Sequence, residues 1–284
     1  MARLTLGYVP SSDGVRIRVA YFDPFRRSVL TRAVVVLNAG AGIPKSFYST
    51  FAAWLADQGM SVVVYDYRGI GDSRGNSIRW LQADITDWGS KDCAAILRAT
   101  QARYPSVPLS LIGHSIGSIV PGFVKNPPKI ERMVLISPHT GFLGDYAARG
   151  RAGLFLRWHV MMPLVTHLVG YYPGRLFGLP EDLPYGVAVQ WARRRFRRDT
   201  RNDTKDALFS HLESKVLVIR PEDDPFATID AATRVRSHFP NTYFWDYVLR
   251  VPAGGRAIGH FGFFNPRNRE SAWTIAREWL LSEG

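Results

Sequence analysis

The chain has 284 residues, 46% of them hydrophobic and 21% charged, and a formal net charge of +12. This composition excludes a disordered chain and provides for a sizeable core in one large domain. A single cysteine excludes an internal disulfide, and neither an apolar leader nor a long uncharged apolar stretch is present, so we expect a cytoplasmic protein without a membrane-spanning helix.

The predicted elements begin with two short alternating runs around the turn at 11–14, which are typical of a β-hairpin. Four continuous apolar runs, rich in β-branched residues, then have the character of strands buried on both faces of a parallel sheet. These runs are 33–37, 61–65, 109–112 and 132–136. Segments with the apolar spacing of helices lie between them, at 46–58 and 88–104, and a third helix is expected to start at Ser115.

The alternation of strands and helices stops between residues 140 and 204, where aromatic residues are frequent and no buried strand is evident. We interpret this segment as a helical cap, or lid, inserted after the sixth strand of a core domain formed by residues 1–139 and 205–284. The later elements are strands at 215–220 and 242–251 and a final helix at 268–281. The order predicts an α/β fold with a mostly parallel, doubly wound sheet of about eight strands.

The strongest motif is Gly-His-Ser-Ile-Gly at 113–117, between a predicted strand and a predicted helix. A sharp turn there would project the Ser115 hydroxyl from the sheet and leave no room for side chains at the two flanking positions. The N–H groups at the start of the following helix would point to the same place, so Ile116 is a candidate oxyanion donor. Ser115 is therefore the candidate nucleophile.

A serine hydroxyl needs a neighbouring base, and two later strand ends offer the partners. Asp223 and Asp224 follow the strand at 215–220, and His260 lies between glycines after the last strand. The chain order serine, acid, histidine is that of the fold in which such a serine turn occurs. The distance from the strand end favours Asp224 as the acid, with Asp223 as the alternative.

These motifs resemble the α/β-hydrolase superfamily over nearly the whole chain. They are Asp-Tyr-Arg-Gly-Ile-Gly-Asp-Ser at 66–73, the serine turn at 113–117, Asp-Asp-Pro at 223–225 and Gly-His-Phe-Gly at 259–262. The stretch 178–186, with Trp191 after it, is similar to a bacterial subgroup of predicted hydrolases with largely unassigned substrates. The resemblance implies an acyl-enzyme on Ser115, with His260 as base and Asp224 as the acid that orients it.

The loop that would donate the second oxyanion N–H departs from the His-Gly of many relatives, because it is Asn-Ala-Gly-Ala-Gly at 38–42. Only a backbone N–H in a tight turn is needed, so Gly40 and Ala41 are both candidates. Asn38 could instead hydrogen-bond across the loop.

Other residues receive weaker interpretations. His114, His139 and Phe261 are candidates for the substrate pocket, although His114 beside the nucleophile is more typical of packing. Six arginines in the stretch 193–201 favour a solvated face, with an anionic membrane surface or an acidic or CoA-linked substrate as alternatives. Nucleic acid is not favoured, because no recognised binding module accompanies the arginines. The oligomeric state stays open.

The sequence thus predicts a serine hydrolase of carboxylic esters or thioesters with an apolar acyl group. No metal or nucleotide cofactor is expected, because no cysteine and histidine cluster and no phosphate-binding glycine loop is present. One alternative is an acyltransferase, lyase or cyclase on the same scaffold, and another is a non-catalytic binding protein.

Overall fold

The protein is represented by a computed structural model that describes residues 2–25, 31–193 and 209–282. Its strands are β1 (Arg3–Pro10), β2 (Arg16–Asp23), β3 (Val34–Asn38), β4 (Ser61–Tyr65), β5 (Leu109–His114), β6 (Arg132–Ile136), β7 (Tyr171–Tyr172), β8 (Leu183–Pro184), β9 (Lys215–Pro221) and β10 (Tyr243–Leu249). Within the described ranges, eight of them form one sheet in the order β1-β2-β4-β3-β5-β6-β9-β10, and β7 pairs with β8.

The sheet is parallel from β4 to β10 and antiparallel only at β1 and β2. Every residue of β3, β4 and β5 is buried, as expected for central strands covered by helices on both faces. The predicted mostly parallel α/β sheet is therefore confirmed. Its carboxyl-terminal edge gathers the loops after β3, β5, β6 and β9 on one side of the molecule.

The α-helices are α1 (Ser49–Asp57), α2 (Ile85–Asp87), α3 (Ala94–Arg103), α4 (Ala148–Phe155), α5 (Met162–Val169), α6 (Tyr185–Ala192), α7 (Ile229–Arg236) and α8 (Thr274–Leu281). Turns of π-helix at Trp88–Cys93, Leu156–Met161 and Arg269–Trp273 join some of these helices to their neighbours. The predicted helices at 46–58, 88–104 and 268–281 correspond to α1, to the π-helical turn Trp88–Cys93 with α3, and to α8.

The expectation of a helix starting at Ser115 is wrong. The chain forms two short 3-10 turns instead, Ser115–Ser118 and Val120–Phe123. Pro121 lies where the helix interior would be, and proline lacks the N–H that an α-helix needs there.

Helices α4, α5 and α6, with the β7–β8 pair, follow β6 and precede β9. Residues 194–204 of the predicted cap lie outside the described residues, as does the boundary at 204/205. The interpretation as a cap and the division into 1–139, 140–204 and 205–284 stay predictions.

One continuous helical stretch, Ala148–Val169, is long and apolar enough to cross a membrane by length and composition alone. Trp158 and Met162 on this stretch are buried, whereas Leu164 and Leu168 are 59% and 72% exposed. The helix therefore packs one side against the protein and presents apolar side chains on the other. The expected absence of a membrane-spanning helix stays a prediction.

Candidate active site

Ser115 lies at the carboxyl end of β5 in a strained conformation, with a φ of 56°. A Cβ at Gly113 would come within 2.7 Å of the Ser118 Cα, and a Cβ at Gly117 within 2.4 Å of the Asn38 carbonyl oxygen. Only glycine fits at these two positions. The close approach explains why the turn needs both glycines, and it leaves the Ser115 hydroxyl facing a cavity.

Three side chains from separate loops meet at this turn. The Ser115 Oγ lies 3.0 Å from His260 Nε2, and His260 Nδ1 lies 2.9 Å from Asp224 Oδ2. Asp223 does not contact His260. Its two carboxylate oxygens accept hydrogen bonds from the backbone N–H groups of Ile258 and Gly259, in the loop that leads to His260.

The Asp224 carboxylate is buried but well supplied with donors. Its Oδ1 accepts from the N–H groups of Phe226 and Ala227, at 2.8 Å and 3.2 Å. Burial acts to raise the pKa of Asp224, but the hydrogen bonds from His260 and from the Phe226 N–H favour the ionised carboxylate, and the pKa is lowered. An ionised Asp224 accepts the Nδ1–H of His260, so His260 Nε2 is left as an acceptor towards Ser115.

His114 does not line the cavity, so its assignment to the substrate pocket is wrong. It is fully buried under the serine turn, where Tyr48 Oη donates to its Nδ1 at 2.9 Å and its Nε2–H donates to the His260 carbonyl oxygen at 3.1 Å. Burial lowers the pKa of His114 to about 3, and the neighbouring His260 acts in the same direction. A neutral His114 thus braces the loop that carries His260.

The two candidates for the second oxyanion donor differ in their surroundings. The Gly40 N–H donates to Tyr48 Oη at 2.9 Å, so it is already engaged and its assignment as a donor is corrected. Ala41 lines the cavity beside Ser115 and is the candidate that fits, together with the buried Ile116. The Asn38 side chain is engaged with β4, because its Oδ1 accepts a hydrogen bond from Tyr65 Oη at 2.6 Å.

Ser115 has a second histidine neighbour that the sequence did not indicate. His139 Nε2 lies 2.9 Å from the Ser115 Oγ, and His139 Nδ1 lies 3.0 Å from Tyr146 Oη. The sequence placed His139 near the pocket, but its contact with the nucleophile depends on how the chain turns after β6. The one signal in the sequence for this contact is that His139 follows closely after β6, a strand that pairs with β5.

Above Ser115 lies a cavity of about 240 Å³. Loops at the strand ends contribute His139, Phe226, His260 and Phe261 to its lining. Most of the other lining residues come from the largely helical part of the segment between β6 and β9, mainly Trp158, Met162, Leu179, Leu183 and Trp191. Arg157 also lines it, and among the described lining residues there is no aspartate or glutamate.

The arginine stretch lies almost entirely outside the described residues. Of its six arginines only Arg193 is described, and it is exposed. In the described ranges, no group of three or more His, Cys, Asp or Glu side chains is arranged to hold a metal ion.

A family model described as "Serine aminopeptidase, S33" matches residues 30–177, just over half of the chain. The chain belongs to this family. The predicted membership of the α/β-hydrolase superfamily is thereby confirmed, and the hydrolase carries its serine turn inside the matched range.

Curated relatives of this S33-family hydrolase include the monoglyceride lipase of Mus musculus, 30% identical over 135 residues, which are 47% of this chain and 43% of that one. A monoglyceride lipase homolog of Monkeypox virus is 30% identical over 130 residues, 44% of each chain. The matched part is thus less than half the length of these relatives.

Solved structures match the hydrolase over almost its whole length. A thermostable carboxyl esterase from Bacillus coagulans, in complex with glycerol, has a TM-score of 0.66 at 14% identity, covering 99% of this chain and 100% of that chain. An esterase from Exiguobacterium antarcticum has a TM-score of 0.62 at 15% identity, covering 97% and 99%. At this identity the likeness establishes the shared fold.

Proposed function

We propose that the protein is a serine hydrolase that cleaves carboxylic esters through an acyl-enzyme on Ser115. The observation that carries the proposal is the hydrogen-bonded series from Ser115 Oγ through His260 to Asp224, beneath an apolar cavity. The family match and the ester-hydrolase names of several relatives support the same class of reaction.

The proposed reaction has two halves, acylation and deacylation of Ser115, and the same catalytic groups act in both. His260 Nε2 takes the hydroxyl proton as Ser115 Oγ attacks the ester carbonyl carbon, and Asp224 stabilises the imidazolium. The N–H groups of Ile116 and Ala41 bind the oxyanion, and His260 returns the proton to the departing alcohol. A water then enters, gives a proton to His260 and attacks the acyl carbon, releasing the acid and the Ser115 hydroxyl.

The lining of the cavity favours an uncharged, apolar acyl group over an amino-terminal residue of a peptide. An aminopeptidase substrate carries an ammonium group, which would require a carboxylate or other acceptors near Ser115. The described lining offers aromatic and aliphatic side chains and the cation of Arg157 instead. We therefore place esters first, thioesters with the same acyl groups second, and the segment between β6 and β9 as the cap that selects the acyl chain.

A panel of p-nitrophenyl esters and acyl thioesters of graded chain length tests the proposal, with an aminoacyl p-nitroanilide as the peptidase substrate. We expect turnover of the esters, no measurable turnover of the anilide, and a loss of at least about a thousandfold in Ser115→Ala. Ser118→Ala is the matched control, because Ser118 is a buried serine one turn away that donates to the Gly113 carbonyl.

Full activity in Ser115→Ala would overturn the proposal, and so would a preference for the anilide. Product analysis in the presence of added alcohols separates hydrolysis from acyl transfer, since only hydrolysis yields the free acid as the main product. Predominant transfer to the added alcohol would favour the acyltransferase alternative.

A further inference from the structure

The Ser115 hydroxyl lies between two imidazoles. His260 Nε2 is 3.0 Å from Oγ on one side, His139 Nε2 is 2.9 Å from Oγ on the other, and the two rings are 5.3 Å apart. A serine hydroxyl has one proton to donate, so only one of the two nitrogens can accept it.

The hydrogen-bond partners decide which one accepts. Asp224 can only accept, so His260 carries its proton on Nδ1 and its Nε2 needs a donor, which the Ser115 hydroxyl provides. His139 Nε2 must then donate its N–H to Oγ, and His139 Nδ1 accepts from the hydroxyl of Tyr146. The reverse arrangement would leave lone pairs of Oγ and His260 Nε2 facing each other without a proton between them.

His139 is held firmly in this position. Ser137, at the end of β6, adopts a left-handed conformation with a φ of 50°, and its N–H donates to the Ile219 carbonyl on β9. The His139 side chain is 3% exposed, its ring is stacked on Phe226 at 6.0 Å, and Trp191 lies edge-on at 5.8 Å. A polar ring fixed in an apolar pocket, with both nitrogens bonded, is a built feature of the site.

We propose that His139 is a second catalytic histidine whose N–H stabilises the Ser115 oxygen as it departs from the acyl group. The inference rests on the proposed function. An ester oxygen is a weak acceptor, but negative charge develops on Oγ when the acyl bond breaks, so the hydrogen bond from His139 strengthens in that transition state. His139 therefore accelerates deacylation more than it accelerates the attack of Ser115, whose hydroxyl oxygen already accepts this hydrogen bond.

His139 keeps its proton throughout the reaction. In deacylation, water transfers a proton to His260 and its oxygen bonds to the acyl carbon. The bond from the acyl carbon to Oγ then breaks with its electron pair remaining on Oγ, and the His260 imidazolium returns the proton to Oγ. The products are the free acid and the Ser115 hydroxyl, with His139 donating a hydrogen bond only.

The test uses His139→Leu, which removes the N–H, and His139→Gln, whose amide nitrogen can replace Nε2 as a donor. With a p-nitrophenyl ester, we expect kcat of His139→Leu to fall about 10- to 100-fold, KM to fall with it, and kcat/KM to change less than about threefold. The lifetime of the acyl-enzyme, followed by intact-protein mass spectrometry, should lengthen by the same factor as kcat falls, and His139→Gln should recover part of the loss.

A further variant, Tyr146→Phe, removes the hydroxyl that holds His139 Nδ1 as an acceptor and leaves His139 in place. We expect a smaller lengthening of the acyl-enzyme lifetime than in His139→Leu. Equal losses of kcat and kcat/KM in His139→Leu, or acyl-enzyme lifetimes equal to the wild type, would overturn the inference while leaving the proposed function standing. A wild type that forms no acyl-enzyme with any ester, or a Ser115→Ala variant that retains turnover, would overturn both.

Discussion

The site consists of two regions with different construction. The triad floor, formed by Ser115, His260 and Asp224, lies on loops at strand ends, and its polar groups have defined hydrogen-bond partners. The cavity roof, formed by Trp158, Met162, Leu179, Leu183 and Trp191, comes from the segment between β6 and β9 and contacts the cavity with apolar surface. We therefore propose that the floor determines which bond is broken and that the roof determines which acyl chain is accepted.

The largest expected effect is a loss of kcat in the floor, and it is tested by comparing variants of two adjacent carboxylates. In Asp224→Asn, the amide would donate to His260 Nδ1 and stabilise the wrong tautomer, so we expect kcat to fall about 10⁴-fold. Asp223→Asn keeps one of the two oxygens that accept from the N–H groups of Ile258 and Gly259, and it leaves the contact between Asp224 and His260 in place, so it should cost less than about tenfold. Steady-state kinetics of the two variants would contradict this account if Asp223→Asn proved the more damaging.

His114, which is buried beside the floor, should make the stability of the protein depend on pH. Folding lowers the pKa of His114 from its ordinary value of 6.5 to about 3, so the unfolded chain binds the additional proton between these values. The stabilisation is complete above the unfolded pKa and is lost as the pH falls towards the folded one. Between about pH 7.5 and about pH 5 this loss amounts to about 2 kcal/mol in the free energy of unfolding.

Replacing His114 removes that contribution. We expect the free energy of unfolding, measured with urea, to fall less in His114→Asn than in the wild type when the pH is lowered from about 7.5 to about 5. The difference between the two decreases should be about 2 kcal/mol. If both proteins lost stability in parallel as the pH was lowered, the burial of a neutral His114 beside the floor would be contradicted.

The smallest expected effect lies in the roof, where neighbouring methionines form a matched pair. Met162 lines the cavity and is 4% exposed, whereas Met161 is 39% exposed. Met162→Ala enlarges the space for the acyl chain, so the kcat/KM ratio of octanoyl to butyryl esters should rise about fivefold to tenfold. Met161→Ala should leave the ratio within about twofold of the wild type. A similar change in both variants would show that the roof does not select the chain.

The sequence predicts the positions of candidate catalytic residues well where these residues lie at the ends of strands. The runs that form β5 and β9, and the Gly-His-Phe-Gly segment at 259–262, are recognisable in the sequence, so Ser115, Asp224 and His260 could be placed in one neighbourhood. The choice between Asp223 and Asp224 depends on which carboxylate comes within hydrogen-bond distance of His260. The number of residues after the strand favours Asp224, but it does not give that distance. The helix expected at Ser115 does not form, because Pro121 has no N–H to donate in a helix interior.

Other features depend on contacts between distant elements. Gly40 and Ala41 are equivalent in the sequence, and they differ only because Tyr48 accepts the Gly40 N–H. The contact of His139 with Ser115 requires the left-handed turn at Ser137, and serine seldom adopts that conformation. The residues of the roof are the hardest to predict from the sequence. Apolar helices of similar composition do not indicate which of their sides faces the cavity.

The most direct test of the central claim is covalent labelling of the nucleophile. The wild type should gain the mass of one fluorophosphonate adduct, and peptide mapping should place it on Ser115. Ser118→Ala should label like the wild type and Ser115→Ala should gain no mass. A wild type that stays unlabelled, or an adduct that persists in Ser115→Ala, would contradict the assignment of Ser115 as the activated nucleophile.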